Sequence, residues 1–151
     1  MGITPDVAVF SKAMGNGYPI AAIIGKNKVM EAAQSTFISS TMWTERIGPV
    51  AALATIEKHR QSDASRYLQR IGEQVQQGWK QCALNQGMNI HVAGIPPLSH
   101  FVFEYDSALT MKTLFVQLML ERGFLASNIF YSMLAHQQYH VEQYLIAVEE
   151  S

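Results

Sequence analysis

A short apolar strand that ends in a lysine constrains the fold of this chain more than any other feature. Val7–Phe10 is an unbroken run of strand-forming residues, which is typical of a strand buried on both faces of a parallel sheet. Ser11 and Lys12 follow at once, and a turn-rich segment, Gly15-Asn16-Gly17-Tyr18-Pro19, leads into a second apolar run. Because open α/β sheets bind ligands outside the carboxyl ends of their strands, the sequence predicts an α/β fold with Lys12 near a ligand site.

The lysine has two interpretations. Burial disfavours the ammonium form, so a lysine held at the end of an inner strand becomes an amine nucleophile near neutral pH. Most lysines at strand ends, however, are solvated surface groups. The strand-then-lysine pattern alone does not decide between the two.

The wider pattern resembles that of class III aminotransferases. It runs Gly2-x-x-Pro-Asp, four apolar residues, Ser-Lys, Gly-x-Gly-x-Pro, and a small apolar run that closes on Gly25. These pyridoxal-phosphate (PLP) enzymes include the glutamate-1-semialdehyde aminomutases. In that family the lysine in this place holds the cofactor as an internal aldimine. The resemblance therefore implies PLP as the cofactor and Lys12 as both the catalytic and the cofactor-binding residue.

A hydroxyl-rich segment, Thr36–Glu45, follows the lysine region. On its own it predicts a strand with an N-capping turn, because Ser and Thr favour caps and turns. The resemblance implies more: the matching segment crosses a homodimer interface, where Thr41, with the Ser40 backbone nearby, binds the phosphate of the partner subunit's cofactor. A hydroxyl and backbone N–H groups suit a phosphate dianion. The following residues, 43–46, depart from the family's Gly-Gly-Asn-Pro-like turn.

The rest of the chain predicts alternating helices and strands, with no internal repeat. The predicted helices are Lys28–Gln34 (capped by Asn27), Ile47–Arg60, Ser62–Gln86, Thr110–Arg122 and Gln138–Glu149, and the predicted strands are Asn89–Ala93, Ser99–Tyr105 and Phe124–Ala126. Under the resemblance, residues 1–60 form the end of the large PLP-binding domain of a fold type I transferase. Residues 61–151 form the interdomain helix and a small α+β C-terminal domain.

Composition excludes several classes of protein. The net charge of −1 leaves no basic excess to neutralise nucleic-acid phosphates. No segment approaches the ~18 continuous apolar residues of a membrane span. The single cysteine, Cys82, indicates a reducing compartment, and we expect the cytoplasm. His136 and His140 have a spacing that zinc sites use, but no further ligand completes a set, so no metal site is expected.

Length and substrate remain open questions at this stage. Class III aminotransferases are much longer than 151 residues, so we expect a C-terminal fragment with little or no activity alone. The alternative is a non-catalytic interaction or remnant domain in which Lys12 is structural. The segment Phe124–His136 lacks an arginine for a substrate carboxylate, which weakens the case for a simple transaminase of α-amino acids with 2-oxoglutarate. It does not decide between transaminase and aminomutase.

Overall fold

The computed structural model describes residues 2–42 and 44–151. The chain divides into two compact units, Met1–Ser62 and Asp63–Ser151. No helix in the described ranges is both long enough and apolar enough to cross a membrane. The units are described in turn.

The first unit combines a two-stranded ribbon with two helices. Strand β1 is Val7–Phe10 and strand β2 is Ala22–Gly25, paired antiparallel with Val7 opposite Gly25. Helix α1 is Asn27–Met30, continued by a 3₁₀ segment over Glu31–Ser35. Helix α2 is Ile47–Gln61. The predicted apolar runs thus form the two strands, and the predicted second helix is confirmed to within one residue.

The environment of β1 differs from the sequence-based expectation. We expected an inner strand of a parallel sheet, but β1 has β2 as its hydrogen-bonded neighbour in an antiparallel pair. Val9 and Phe10 are 66% and 49% exposed. Because each strand of an isolated pair has one neighbour, the outer edge of each strand is left unpaired by the residues described.

Two smaller predictions in this unit were wrong. Lys26, not Asn27, is the N-cap of α1, and Asn27 is already helical. No strand forms among the described residues between Thr36 and Glu45, where bends and turns replace it. The reason is that hydroxyl side chains there bond locally: Thr36 Oγ1 donates to the Ala33 carbonyl, and Ser40 Oγ accepts from the Met42 N–H.

The second unit packs three helices on a three-stranded antiparallel sheet. The helices are α3 (Ala64–Asn85), α4 (Ala108–Glu121) and α5 (Gln138–Glu149), and the strands are β3 (Ile90–Ile95), β4 (Leu98–Phe103) and β5 (Ile129–Tyr131). The sheet order is β3-β4-β5. The predicted strand at Phe124–Ala126 was wrong: that segment is irregular, and β5 begins at Ile129, where the chain reaches the edge of β4.

An aromatic cluster forms the core of the second unit. Trp79 and Phe101 meet edge to face with ring centroids 5.0 Å apart, and Phe115 meets Phe101 at 5.4 Å. The Trp79 Nε1–H donates to the Tyr144 hydroxyl at 3.0 Å, which satisfies a buried donor. Burial raises the pKa of Tyr144 to about 12. Cys82 is buried, as predicted.

Two glycines let neighbours approach α3 closely, as its sequence predicted. A β-carbon on Gly72 would lie 1.7 Å from the Pro96 carbonyl oxygen, in the turn between β3 and β4. One on Gly78 would lie 2.4 Å from the Leu145 methyl carbons of α5. Each glycine therefore occupies a place where a larger residue must displace its neighbour.

Candidate functional site

Lys12 begins a single 3₁₀ turn, Lys12–Met14, directly after β1. Its φ is +51°, in the left-handed region, where non-glycine residues are uncommon. This conformation costs a lysine of order 1 kcal/mol, and residues held in it cluster at functional sites. No sequence signal predicted this feature, because positive φ is expected at Gly or Asn rather than at Lys.

The turn that holds Lys12 is closed by a short hydrogen-bond network. The Gly15 N–H donates to the Lys12 carbonyl at 3.2 Å, and the Ser11 hydroxyl donates to the Ile20 carbonyl at 3.3 Å across the base of the loop. Gly15 is buried, and a β-carbon there would lie 2.2 Å from the Tyr18 carbonyl oxygen. The glycines predicted to shape this turn therefore do so, Gly15 by close packing and Gly17 by its φ of +103°.

Helix α2 packs its first turn on the end of this loop. A β-carbon on Gly48 would lie 2.9 Å from the Pro19 carbonyl oxygen and 3.2 Å from Ile20. Gly48 is buried, so the helix start and the lysine loop form one packed substructure within the first unit. The segment that carries Ser40 and Thr41 leads directly into this helix.

Glu45 fixes the start of α2, a role that the sequence did not reveal. Its carboxylate accepts hydrogen bonds from the Gly48 N–H at 2.9 Å and the Ile47 N–H at 2.5 Å. These bonds, that from Gly48 first, hold the pKa of Glu45 below its ordinary value, although burial opposes them. An anion at a helix N-terminus also interacts favourably with the helix dipole. Glu45, one of the residues that differ from the family's Gly-Gly-Asn-Pro-like turn, thus caps the start of α2.

Among the described residues, the Ser40 and Thr41 hydroxyls make no hydrogen bond outside their own turn. Ser40 Oγ accepts from the Met42 N–H at 3.2 Å. Thr41 lies in this turn and is exposed, and its hydroxyl makes no hydrogen bond to the residues described. The Thr41 hydroxyl and the exposed backbone N–H groups beside it are donors of the kind that bind phosphate groups.

The Lys12 side chain is exposed, which corrects the expectation that it lies buried at the strand end. The cause is the uncovered ribbon beside it. Lys26 offers a contrast, since its Nζ is held by Asp6 Oδ1 at 2.6 Å. Lys12 Nζ has no ion-pair partner in the described part of the chain, so its amine is available to an external aldehyde.

The two histidines with zinc-site spacing, His136 and His140, have structural partners. His136 Nδ1 accepts the Met133 N–H at 3.2 Å, and His140 Nδ1 accepts the Gln137 N–H at 3.1 Å at the start of α5. Burial, and then the neighbouring His140, lower the pKa of His136. No group of three His, Cys, Asp or Glu side chains that could hold a metal ion occurs among residues 2–42 and 44–151.

Comparison with known proteins gives one consistent family. Residues 1–145 match the family described as aminotransferase class-III. The chain is 33% identical over 114 residues to a 3-aminobutyryl-CoA aminotransferase of Cloacimonas acidaminovorans, covering 75% of this chain and 28% of that protein. It is 27% identical over 144 residues to a 2'-deamino-2'-hydroxyneamine transaminase of Streptomyces kanamyceticus, covering 95% and 37%.

Solved structures share the fold. The PLP internal aldimine form of FumI from Sphingopyxis sp. MTA144 superposes with a TM-score of 0.92 at 24% identity, covering 99% of this chain and 36% of that one. The architecture is therefore the α/β fold of the PLP transaminases. The chain covers between 28% and 37% of the length of these three relatives.

Proposed function

Because this chain belongs to the class III aminotransferase family, whose members use pyridoxal phosphate, we propose that it serves PLP-dependent amino-group transfer with Lys12 as the cofactor-binding lysine. One observation carries the proposal: a lysine in a strained left-handed conformation directly after β1, with its amine exposed and unpaired among the described residues. An observed backbone outlier of this kind supports a functional role.

Lys12 Nζ has two tasks under this proposal. As a neutral amine it is a nucleophile for the cofactor aldehyde, and once released it is a base that accepts and returns a proton. The bound cofactor supplies the electron sink for the reaction. The closed turn from Ser11 to Ile20 holds the lysine backbone in place while the side chain remains free to move.

Thr41 and Ser40 are proposed as phosphate ligands. Under the family resemblance they act on the cofactor of a partner subunit, so the proposal includes a homodimer. The exposed Thr41 hydroxyl and the turn at Ser40 support it, because neither the Thr41 hydroxyl nor the Ser40 N–H makes a hydrogen bond among the described residues. A phosphate oxygen would satisfy these donors.

The substrate is proposed only at the level of a small molecule with an amino or carbonyl group. Relatives include both transaminases and a glutamate-1-semialdehyde 2,1-aminomutase of Haloquadratum walsbyi, so transfer between molecules and transfer within one molecule both stay open. Since the chain spans 37% of that transaminase of Streptomyces kanamyceticus and 25% of the aminomutase, we expect little turnover from these residues alone. The buried lone thiol of Cys82 is consistent with the proposed cytoplasmic location.

A spectroscopic titration tests the lysine assignment. Addition of PLP to the chain is expected to give the visible absorbance band of lysine-bound cofactor at stoichiometric loading, and Lys12→Met is expected to abolish it. Lys28→Met is the matched control, because Lys28 is also exposed and unpaired within the described ranges. If Lys12 were only structural, as in a remnant domain, the two variants would lose equal, small amounts of signal.

A second titration tests the phosphate assignment. Thr41→Val keeps the side-chain shape and removes the hydroxyl, and hydrogen bonds to charged groups contribute about 1.5–3 kcal/mol. We expect at least about a tenfold loss of PLP affinity in the dimeric protein. Pyridoxal, which lacks the phosphate, should bind both proteins equally. Thr44→Val, at an exposed threonine in the next turn, which the Glu45 N–H closes on the Met42 carbonyl, is the control. Equal losses for PLP and pyridoxal would refute the role of Thr41.

A further inference from the structure

A cavity of about 350 Å³ opens in the second unit, and neither Lys12, Ser40 nor Thr41 lines it. Its walls are mostly apolar and include the rings of Trp79, Phe101 and Phe115, with side chains of α4 and α5 at the sides. This volume lies in the range of small-molecule sites, which are typically apolar with a few convergent polar groups. Nothing in amino-group transfer at Lys12 uses it.

The rim of this cavity carries one carboxylate without a cation. Glu149 is half-buried, and its Oε1 accepts a hydrogen bond from Asn85 Nδ2 at 2.6 Å. Glu150, the other acidic residue of the lining, has Arg122 Nε 3.5 Å from its Oε2. Glu149 has no such partner among the residues the structure describes. A carboxylate without a cation at the rim of an apolar cavity attracts a positive charge.

We propose that this cavity binds a small organic cation, an arylalkyl- or alkylammonium ion. The apolar body of the ligand lies against the apolar residues that α3, α4 and the sheet contribute to the cavity wall, and its positive charge lies at Glu149. The charge of Glu149 selects a cation over a neutral or anionic molecule of the same shape.

Alkylation of the Cys82 thiol reports whether the cavity is occupied. It lines the cavity and is the only cysteine of the chain. Burial, and then the charge of Glu149, raise the pKa of its thiol, which slows alkylation. A ligand that occupies the cavity should slow it further. Trp79 supplies a second reporter, because it lies in the cavity wall.

The probe is benzyltrimethylammonium, which has no N–H and cannot act as an amino donor. The result is therefore independent of the function proposed for Lys12. We use the full chain without cofactor, carrying Trp43→Phe so that Trp79 is the only tryptophan. We expect a saturable change in Trp79 fluorescence and, at the same concentrations, slower alkylation of Cys82 by iodoacetamide.

The charge requirement is tested by paired variants and paired ligands. Glu149→Gln keeps an acceptor for Asn85 and should weaken the probe by about tenfold or more. Glu142→Gln removes the same charge from an exposed position on the same helix and should leave affinity within about twofold. In the unsubstituted site, the neutral isostere neopentylbenzene should bind at least about tenfold more weakly than the cation. This comparison needs no substitution at Glu149, so it tests the charge requirement even if Glu149→Gln perturbs folding.

Three results would overturn the proposal. Equal binding of the cation and the neutral isostere would show an apolar groove without charge selection. Protection of Cys82 that rises with protein concentration, and not with the probe, would show that a second copy of the chain covers the cavity. No fluorescence change and no protection at any probe concentration would show that the cavity takes no such ligand.

Discussion

Replacing Gly72 with alanine should destabilise the second unit, although alanine is the better helix former. An alanine in place of glycine in a helix interior ordinarily gains about 1 kcal/mol. At this position the new β-carbon would lie 1.7 Å from the Pro96 carbonyl oxygen, where real β-carbons essentially never come closer than 3.0 Å. The backbone of the β3–β4 turn must therefore move by more than about 1 Å, and such overpacking costs about 1–3 kcal/mol or more.

The Pro96 carbonyl is also held in place, which increases this cost. It accepts the Ser99 hydroxyl at 2.8 Å, and Ser99 is fully buried. Moving the carbonyl weakens a bond with a net contribution of about 1 kcal/mol. After subtraction of the helix-propensity gain, we expect Gly72→Ala to lower the free energy of unfolding by about 1–3 kcal/mol.

Gly78→Ala in the same helix is the matched control. The nearest atoms to its β-carbon would be the methyl carbons of Leu145 at 2.4 Å and Leu145 Cγ at 2.9 Å, all in one side chain. Rotation of that side chain relieves the contact, so we expect a change within about 1 kcal/mol. Urea unfolding in the Trp43→Phe background, followed by Trp79 fluorescence, measures both variants. Equal stability of the two would refute the packing argument.

Three further predictions follow from the same contacts. Because His136 accepts the Met133 N–H through Nδ1 and burial lowers its pKa in the fold, protonation of His136 favours unfolding. Stability should therefore fall as the pH drops below about 6.5, and His136→Asn should flatten this dependence in thermal melts. Tyr144→Phe leaves the buried Trp79 N–H without its acceptor and should cost about 1–3 kcal/mol in urea unfolding. Gly15→Ala places a β-carbon 2.2 Å from the Tyr18 carbonyl oxygen. It should weaken PLP binding in the absorbance titration and leave the melting temperature of the second unit nearly unchanged.

The sequence predicted the elements whose signal is local. The long amphipathic pattern of α3 and the helix at Gln138–Glu149 were found because their apolar residues recur at helical spacing. The inner face of α4 does not follow from its sequence: Met119 is fully buried, whereas Leu114 is 53% exposed. A helix with apolar residues on most sides does not reveal which side meets the sheet.

Features that depend on distant neighbours were not predictable. The environment of β1 depends on which strands lie beside it, and an apolar run does not encode this. The left-handed φ of Lys12 and the capping of α2 by Glu45 depend on how the loop folds back on Ile20 and Gly48. Lys12, Thr41 and Ser40 were chosen from resemblance, and their roles remain predictions.

The most direct test of the account is to trap the cofactor on its lysine. The chain is mixed with one equivalent of PLP, reduced with borohydride, digested and mapped by mass spectrometry. We expect the phosphopyridoxyl label on Lys12 in nearly all labelled molecules, and no comparable label elsewhere in the Lys12→Met variant. Label scattered over exposed lysines such as Lys28, and unchanged by the loss of Lys12, would contradict the assignment.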